Sequence, residues 1–160
     1  MNAEDLKKLV KDIVEQANKL KNKHIDGDAP VNYVCIFAQS QKEYEEFLEA
    51  AQKLGKLLKE TSMGPVFYIK PMDTVAGPLK MVKIRVPDPT RTERGDADFT
   101  ISDYANFEKK HLTRSGFKKI ERPNFVMIEL MDSDFDVRVY FSNPSMEEYL
   151  REQKRLPVDY

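Results

Sequence analysis

Residues 81–101, MVKIRVPDPTRTERGDADFTI, decide how the rest of the chain is read. Two strand-like runs flank a charged, proline-bearing loop. In the first run Val82, Ile84 and Val86 alternate with Met81, Lys83 and Arg85; in the second, Ala97, Phe99 and Ile101 alternate with Asp96, Asp98 and Thr100. Successive side chains on a strand point to opposite faces, so each run has one apolar and one charged face. Ser, Thr and Lys would suffice to wet a sheet. Two cations on one strand and two carboxylates on the next point instead to a charged site.

Working outward, residues 3–22 predict a helix, with Leu6, Leu9, Val10, Ile13, Val14, Ala17 and Leu20 on one stripe. That stripe reads as an ordinary packing face, and is too short for a coiled coil. HIDGDAP (24–30) is a linker. Residues 32–38 predict a strand apolar on both faces, hence central. Residues 41–54 predict a helix capped by Ser40, with Glu43 as capping-box partner. Residues 56–60 and 65–70 predict strands around a turn at 62–64, residues 72–78 a loop, and residues 79–86 a strand ended by Pro87 and Pro89. The order then repeats. A strand at 96–101 leads to a helix opened by Ser102 or Asp103. Strands follow at 117–121, 124–131 and 135–141, the last two a hairpin about Asp132-Ser133-Asp134. Ser145 caps a final helix, 146–155, with Glu148 as its box partner, and residues 157–160 predict a loose tail.

These elements predict one α+β domain over residues 1–160. An N-terminal helix (1–24) precedes two βαβββ modules (31–89 and 95–142) that form one curved mixed sheet, and a C-terminal helix (144–156) follows. A chain of 160 residues buries about 70% of its unfolded surface without help from disulfides or metal. With 41% hydrophobic and 33% charged residues and a net charge of −1, it lacks the basic excess of a nucleic-acid binder. No apolar run approaches the roughly 20 residues that span a bilayer, and the mixed-charge N-terminus lacks a signal peptide's apolar core. A lone cysteine, Cys35, excludes an internal disulfide and fits a reducing cytoplasm. Cys35 reads as a small buried hydrophobe, His111 as a surface residue and His24 as part of the linker. No Ser or Cys stands at motif spacing from either histidine, so a nucleophilic triad finds no support.

A duplicated βαβββ module with a charged concave face resembles the vicinal oxygen chelate superfamily, which includes glyoxalase I, bleomycin-resistance proteins and extradiol dioxygenases. The local match is to its small YecM-type branch. It is carried by NYVCIFAQSQKEYEEFLEAAQKLGKLLKET (32–61), GPVFYIKPMD (64–73), VKIRVPDP (82–89) and GDADFTI (95–101), and spans residues 31–141. In that branch the first strand begins with a metal-binding His, the fourth reads I-E-L-P-x-P, and the fifth carries a His beside an acidic residue and Phe. Here those places hold Tyr33, Arg85, and Asp96 with Asp98 before Phe99; the eighth-strand ligand falls among Asp136, Arg138 and Tyr140. The resemblance implies the fold. A guanidinium is no metal ligand at ordinary pH, so these residues speak against the inherited metal chemistry.

Strand register then gathers Tyr33, Phe37, Lys83, Arg85, Asp96, Asp98, Glu129, Asp136, Arg138 and Tyr140 on the cup face. The cluster reads two ways. It is a salt-bridge network plugging an unused cup, or it is a pocket for a small polar or anionic metabolite. In the pocket, Arg85 and Arg138 clamp a carboxylate or phosphate and Asp96 or Asp98 takes an amine or hydroxyl. A divalent-metal enzyme, lyase- or isomerase-like or nucleotidyltransferase-like, is an alternative that would use Asp96, Asp98 and Asp136. No Gly-Ser phosphate turn precedes that pair, and Thr74-Val75-Ala76-Gly77 is a poor substitute. A non-catalytic interaction protein, monomeric or a helix-mediated homodimer, is a third class. The loop 87–95, with Asp88, Arg91, Glu93 and Arg94, reads as a crossover between modules or as a lid.

Overall fold

The computed structural model describes residues 1–156; the tail expected at 157–160 lies outside them. The elements are α1 (Ala3–His24), β1 (Val31–Phe37), α2 (Gln41–Leu54), β2 (Gly55–Lys59), β3 (Val66–Thr74), β4 (Gly77–Arg85), β5 (Gly95–Phe99), α3 (Tyr104–His111), β6 (Phe117–Arg122), β7 (Phe125–Leu130), β8 (Val137–Asn143) and α4 (Met146–Glu152). Eight strands form one curved mixed sheet in the order β2-β3-β4-β1-β5-β8-β7-β6. In each module the first strand lies parallel to the last, β1 with β4 and β5 with β8. The two first strands meet antiparallel at the centre. This is the α+β architecture of two βαβββ modules with added terminal helices.

Alternation sorts the sheet's two faces. Val34, Ile36, Val82, Ile84, Ala97, Phe99, Val139 and Phe141 enter the main core, where α1 buries Leu6, Val10, Ile13, Val14, Ala17 and Leu20. The apolar stripe of α1 is therefore used within the chain. The opposite, concave face carries a second cluster of Tyr33, Cys35, Phe37, Val66, Tyr68 and Met81, sealed by Leu150 of α4. Among the described residues no helix is long and apolar enough to cross a membrane.

Local chemistry sets the helix starts. The Asn2 side chain accepts the Asp5 N–H at 2.8 Å, and Asp5 accepts the Asn2 N–H in return, closing a capping box. Ser40 and Ser145 accept the N–H groups of Glu43 and Glu148 as expected. The expected box at Ser40 is only half formed, because the Glu43 carboxylate turns to the Gln39 N–H and the Arg94 guanidinium instead.

Two expectations are corrected. Residues 72–78 are not a loop: β3 runs to Thr74 and β4 starts at Gly77. The two-residue turn needs the positive φ of Gly77, +102°. The Thr74 hydroxyl accepts the Ala76 N–H and donates to the Gly77 carbonyl. Pro71 and Pro78 mask these strands in the sequence. They are tolerated because β2 pairs with β3 only as far as Ile69, and the β1 ladder with β4 begins at Val82. His111 is not a surface residue. It is buried, its ring 4.5 Å from that of Phe107 and 5.5 Å from that of Phe117. Its Nδ1 accepts from Arg114 at 3.0 Å, since a guanidinium only donates. His24 closes α1, with Nε2 2.8 Å from Asp132.

Candidate ligand-binding site

Strand register builds the concave face in rows. Lys83, Cys35, Asp96 and Arg138 are neighbours across β4, β1, β5 and β8. Tyr33, Asp98, Tyr140 and Glu129 form the next row across β1, β5, β8 and β7. A bulge between Val31 and Tyr33 brings Asn32 alongside, with Nδ2 2.9 Å from the Thr100 hydroxyl and 3.5 Å from Asp98. Over these rows lies a cavity of about 350 Å³. Tyr33, Lys83, Arg85, Asp96, Asp98 and Tyr140 line it, with β6, β7 and α4 closing the far side.

Three expected site residues lie elsewhere. Arg138 is not on the cavity wall: its Nε stands 2.7 and 3.2 Å from the two Glu93 oxygens, and a terminal nitrogen 3.5 Å from Glu129. Glu129 in turn accepts the Tyr140 hydroxyl at 2.7 Å. This end of the cup is a filled salt-bridge network, so the expected clamp of Arg85 with Arg138 does not form. Asp136 is exposed, just before β8, and its carbonyl accepts the Arg94 N–H at 2.8 Å. The reason is length: β8 begins one residue too late to carry Asp136 over the cup.

The place expected for Arg138 is taken by Arg91, from the loop joining β4 to β5. Its guanidinium lies 5.4 Å from the centre of the Phe37 ring and 3.4 Å from the Tyr140 hydroxyl. Loop residues have no strand parity, so only the charge of that loop hinted at this. Ser142 escapes the sequence pattern for a simpler reason. It shares the parity of Tyr140, but lies beyond where the sequence ends the strand. Lys59, Met63 and Arg122 also reach the cavity.

The two carboxyls differ in their partners. Asp98 accepts the Ser142 N–H at 3.1 Å and also the Ser142 hydroxyl. Asp96 has no hydrogen bond among the described residues. Burial pushes both up to about 7, and Asp96 is raised further by the charge of Asp98. Burial also lowers the Lys83 ammonium and raises the Cys35 thiol and Tyr33 phenol. Lys83 has no ion pair or hydrogen bond among the described residues. Arg85 points one terminal nitrogen at the Met63 sulfur, 2.9 Å away, and another at Asp88, 3.4 Å away; its Nε is buried without a partner.

No family model and no curated protein matches the sequence. Among solved structures, one described as Structural Genomics, Protein EC4020, superposes with a TM-score of 0.70 at 12% identity, covering 94% of this chain and 92% of that one. A glyoxalase/bleomycin resistance protein/dioxygenase superfamily member from Vibrio splendidus 12B01 aligns with a TM-score of 0.45 at 8% identity, over 71% of this chain and 97% of its own. The first of these shares the fold of this chain over nearly its whole length.

The metal implied by the vicinal oxygen chelate resemblance does not fit these residues. Arg85 occupies one ligand position, and Asp96 is surrounded by Lys83, Arg85 and Arg91. Among the described residues no group of three or more His, Cys, Asp or Glu side chains is placed to hold an ion. The triad of Asp96, Asp98 and Asp136 is thus not assembled, because Asp136 stands outside the cup.

Proposed function

We propose that the protein binds a small organic anion in the concave cavity. Lys83, Arg85 and Arg91 hold the anionic group, and Asp96 exchanges a hydrogen bond with a neighbouring hydroxyl or amine. One observation carries this reading: among the described residues, polar groups lining this end of the cup are half-buried or buried and lack full internal partners. Among the described residues Lys83 has no counter-ion in contact, Arg85 leaves its Nε unbonded, and the Asp96 carboxyl accepts no hydrogen bond. Groups left this way cost several kcal/mol unless something outside the chain satisfies them. A structural plug looks different, and the same cup shows one at Arg138, where Glu93 and Glu129 complete the charge. The cavity volume falls in the range of small-molecule sites, about 300–1,000 Å³.

Thermal-shift measurements with a panel of hydroxy, keto, amino and phosphorylated acids test the reading. A ligand at 100 times its Kd stabilises by about 2.7 kcal/mol. Lys83→Met and Arg85→Ala are each expected to weaken the binding of any stabilising anion at least tenfold. Arg138→Ala is the contrast: it should destabilise by about 3–5 kcal/mol by stranding two acids, yet leave anion affinity unchanged. If no panel member shifts the melt and Lys83→Met and Arg85→Ala alter stability alone, the cavity is a structural charge cluster.

A further inference from the structure

The cavity is two-ended. Lys83, Arg85, Arg91 and Asp96 crowd one end, and the other carries Ile120, Phe125 and Met127 together with the exposed Arg122 and Asn124. The β6–β7 register sets Ile120 opposite Met127 and Arg122 opposite Phe125. The alternate residues of this hairpin, Phe117, Ile128 and Leu130, turn into the main core. Ile120, Phe125 and Met127 belong to neither packed cluster; they are only half-buried and face the cavity.

The repeat makes this asymmetry informative. β3 of the first module corresponds to β7 of the second, and it too puts apolar residues, Val66 and Tyr68, on the concave face. Those are buried, in the same cluster as Leu150 of α4. α4 spans only one half of the cup. Its Met146 and Tyr149 pack at the edge of that cluster and also line the cavity with Phe125 and Met127, leaving a slot between helix and hairpin. Half-exposed apolar surface beside three cations, two of which share the single carboxylate of Asp88, is complementary to one class of molecule.

We propose that the cavity selects a carboxylate bearing an apolar tail, with its head on Lys83, Arg85 and Arg91 and its tail in the slot formed by Ile120, Phe125 and Met127. This rests on the anion-binding reading and specifies its ligand. Burial of each methylene is worth about fourfold in affinity, so a short tail gains orders of magnitude over a bare head group.

The experiment titrates the full chain with acetate, butyrate, hexanoate and phenylacetate, with 1-hexanol as the uncharged control, by chemical-shift perturbation at constant ionic strength. Affinity is expected to rise at least tenfold from acetate to hexanoate, while 1-hexanol binds at least tenfold more weakly than hexanoate. Whichever of phenylacetate and hexanoate binds more tightly identifies the tail as aryl or alkyl. Phe125→Ser and Met127→Gln should each remove most of the tail increment and leave acetate unchanged, with melting curves showing both variants folded. Ile120→Thr replaces either variant that does not fold. A flat affinity across the series, or an increment that survives these substitutions, overturns the tail assignment while leaving anion binding standing. No binding by any carboxylate overturns this assignment alone, whereas equal binding of hexanoate and 1-hexanol, or affinities unaltered in Lys83→Met, overturns the anion reading and this one with it.

Discussion

Asp96 and Asp98 are two residues apart on one strand face, yet hydrogen bonds give them different work. Asp98 is the better-solvated anion, because the Ser142 N–H and hydroxyl and the Asn32 amide all point at it. Asp96 receives none of this, so it holds the proton when the pair shares one charge. It is faced by Tyr33 and Cys35 on β1, Lys83 and Arg85 on β4, Arg91 in the loop, and Tyr140 and Arg138 on β8; the cations restrain its rise without reversing it. Both carboxyls titrate at about 7 in the folded chain, against roughly 4 when unfolded. Folding therefore takes up protons between those values. The stability this contributes is fully present below about pH 4 and is lost as pH rises through 7. Asp96→Asn removes the titrating group and keeps the shape. Its unfolding free energy should be flatter than wild type between pH 5 and 8, and higher than wild type at pH 8 by about 1 kcal/mol or more. Denaturant titrations across that range measure it; a parallel profile in the variant would show that Asp96 is already ionised at neutral pH.

The seam between the modules is the pairing of β1 with β5, and Gly95 fixes how closely the two strands meet. A Cβ added there would lie 2.3 Å from the Cys35 carbonyl oxygen and 3.0 Å from Cδ1 of Ile13 on α1. The first contact is with backbone, so relief requires β5 to move away from β1, carrying Asp96 with it. Gly95→Ala is thus expected to cost at least about 2 kcal/mol, more than the typical penalty of one extra methyl on a roomy surface. Unfolding by denaturant checks the size, and loss of carboxylate binding in the folded variant would report the shift of Asp96. The loop preceding Gly95 is held just as specifically. Gln39 donates to the carbonyls of Phe37, Arg91 and Glu93, Arg94 pairs with Glu43, and Thr90 donates twice to Asp88, holding that carboxyl low at about 2. Arg91 is presented by this fixed loop rather than by a strand, which is why alternation finds Lys83, Arg85, Asp96 and Asp98 but passes over it. Arg138 errs in the opposite direction. Its parity is right, but parity says nothing about Glu93, which arrives from the same irregular loop and takes the charge.

Across the whole molecule, what sequence periodicity encodes is the division of a sheet into faces, and that was enough for the architecture. Val82, Ile84, Ala97 and Phe99 marked the helix-covered side, and the duplicated element order gave the two modules. Which parts of the concave side are filled depends on where α4 lands, and nothing in the sequence between 144 and 156 states that. Its landing site decides the state of Cys35. Leu150 is fully buried against Tyr33, Cys35, Phe37 and Met81, with Leu58 and Tyr149 at the edges. The thiol is buried and its pKa raised, and both effects suppress the thiolate that alkylating reagents require. Leu150→Asp replaces the anchor with a charge that has no partner in that cluster, so α4 should leave the sheet. The main core, built by α1, α2 and α3 on the other face, does not touch Leu150 and should survive. The expected outcome is a folded variant, less stable by about 3–5 kcal/mol, with β-sheet circular dichroism retained and Cys35 modified by N-ethylmaleimide at least tenfold faster than in wild type. Unchanged labelling with retained structure would mean that the sheet alone shields Cys35 and that α4 contributes nothing to closing the cup.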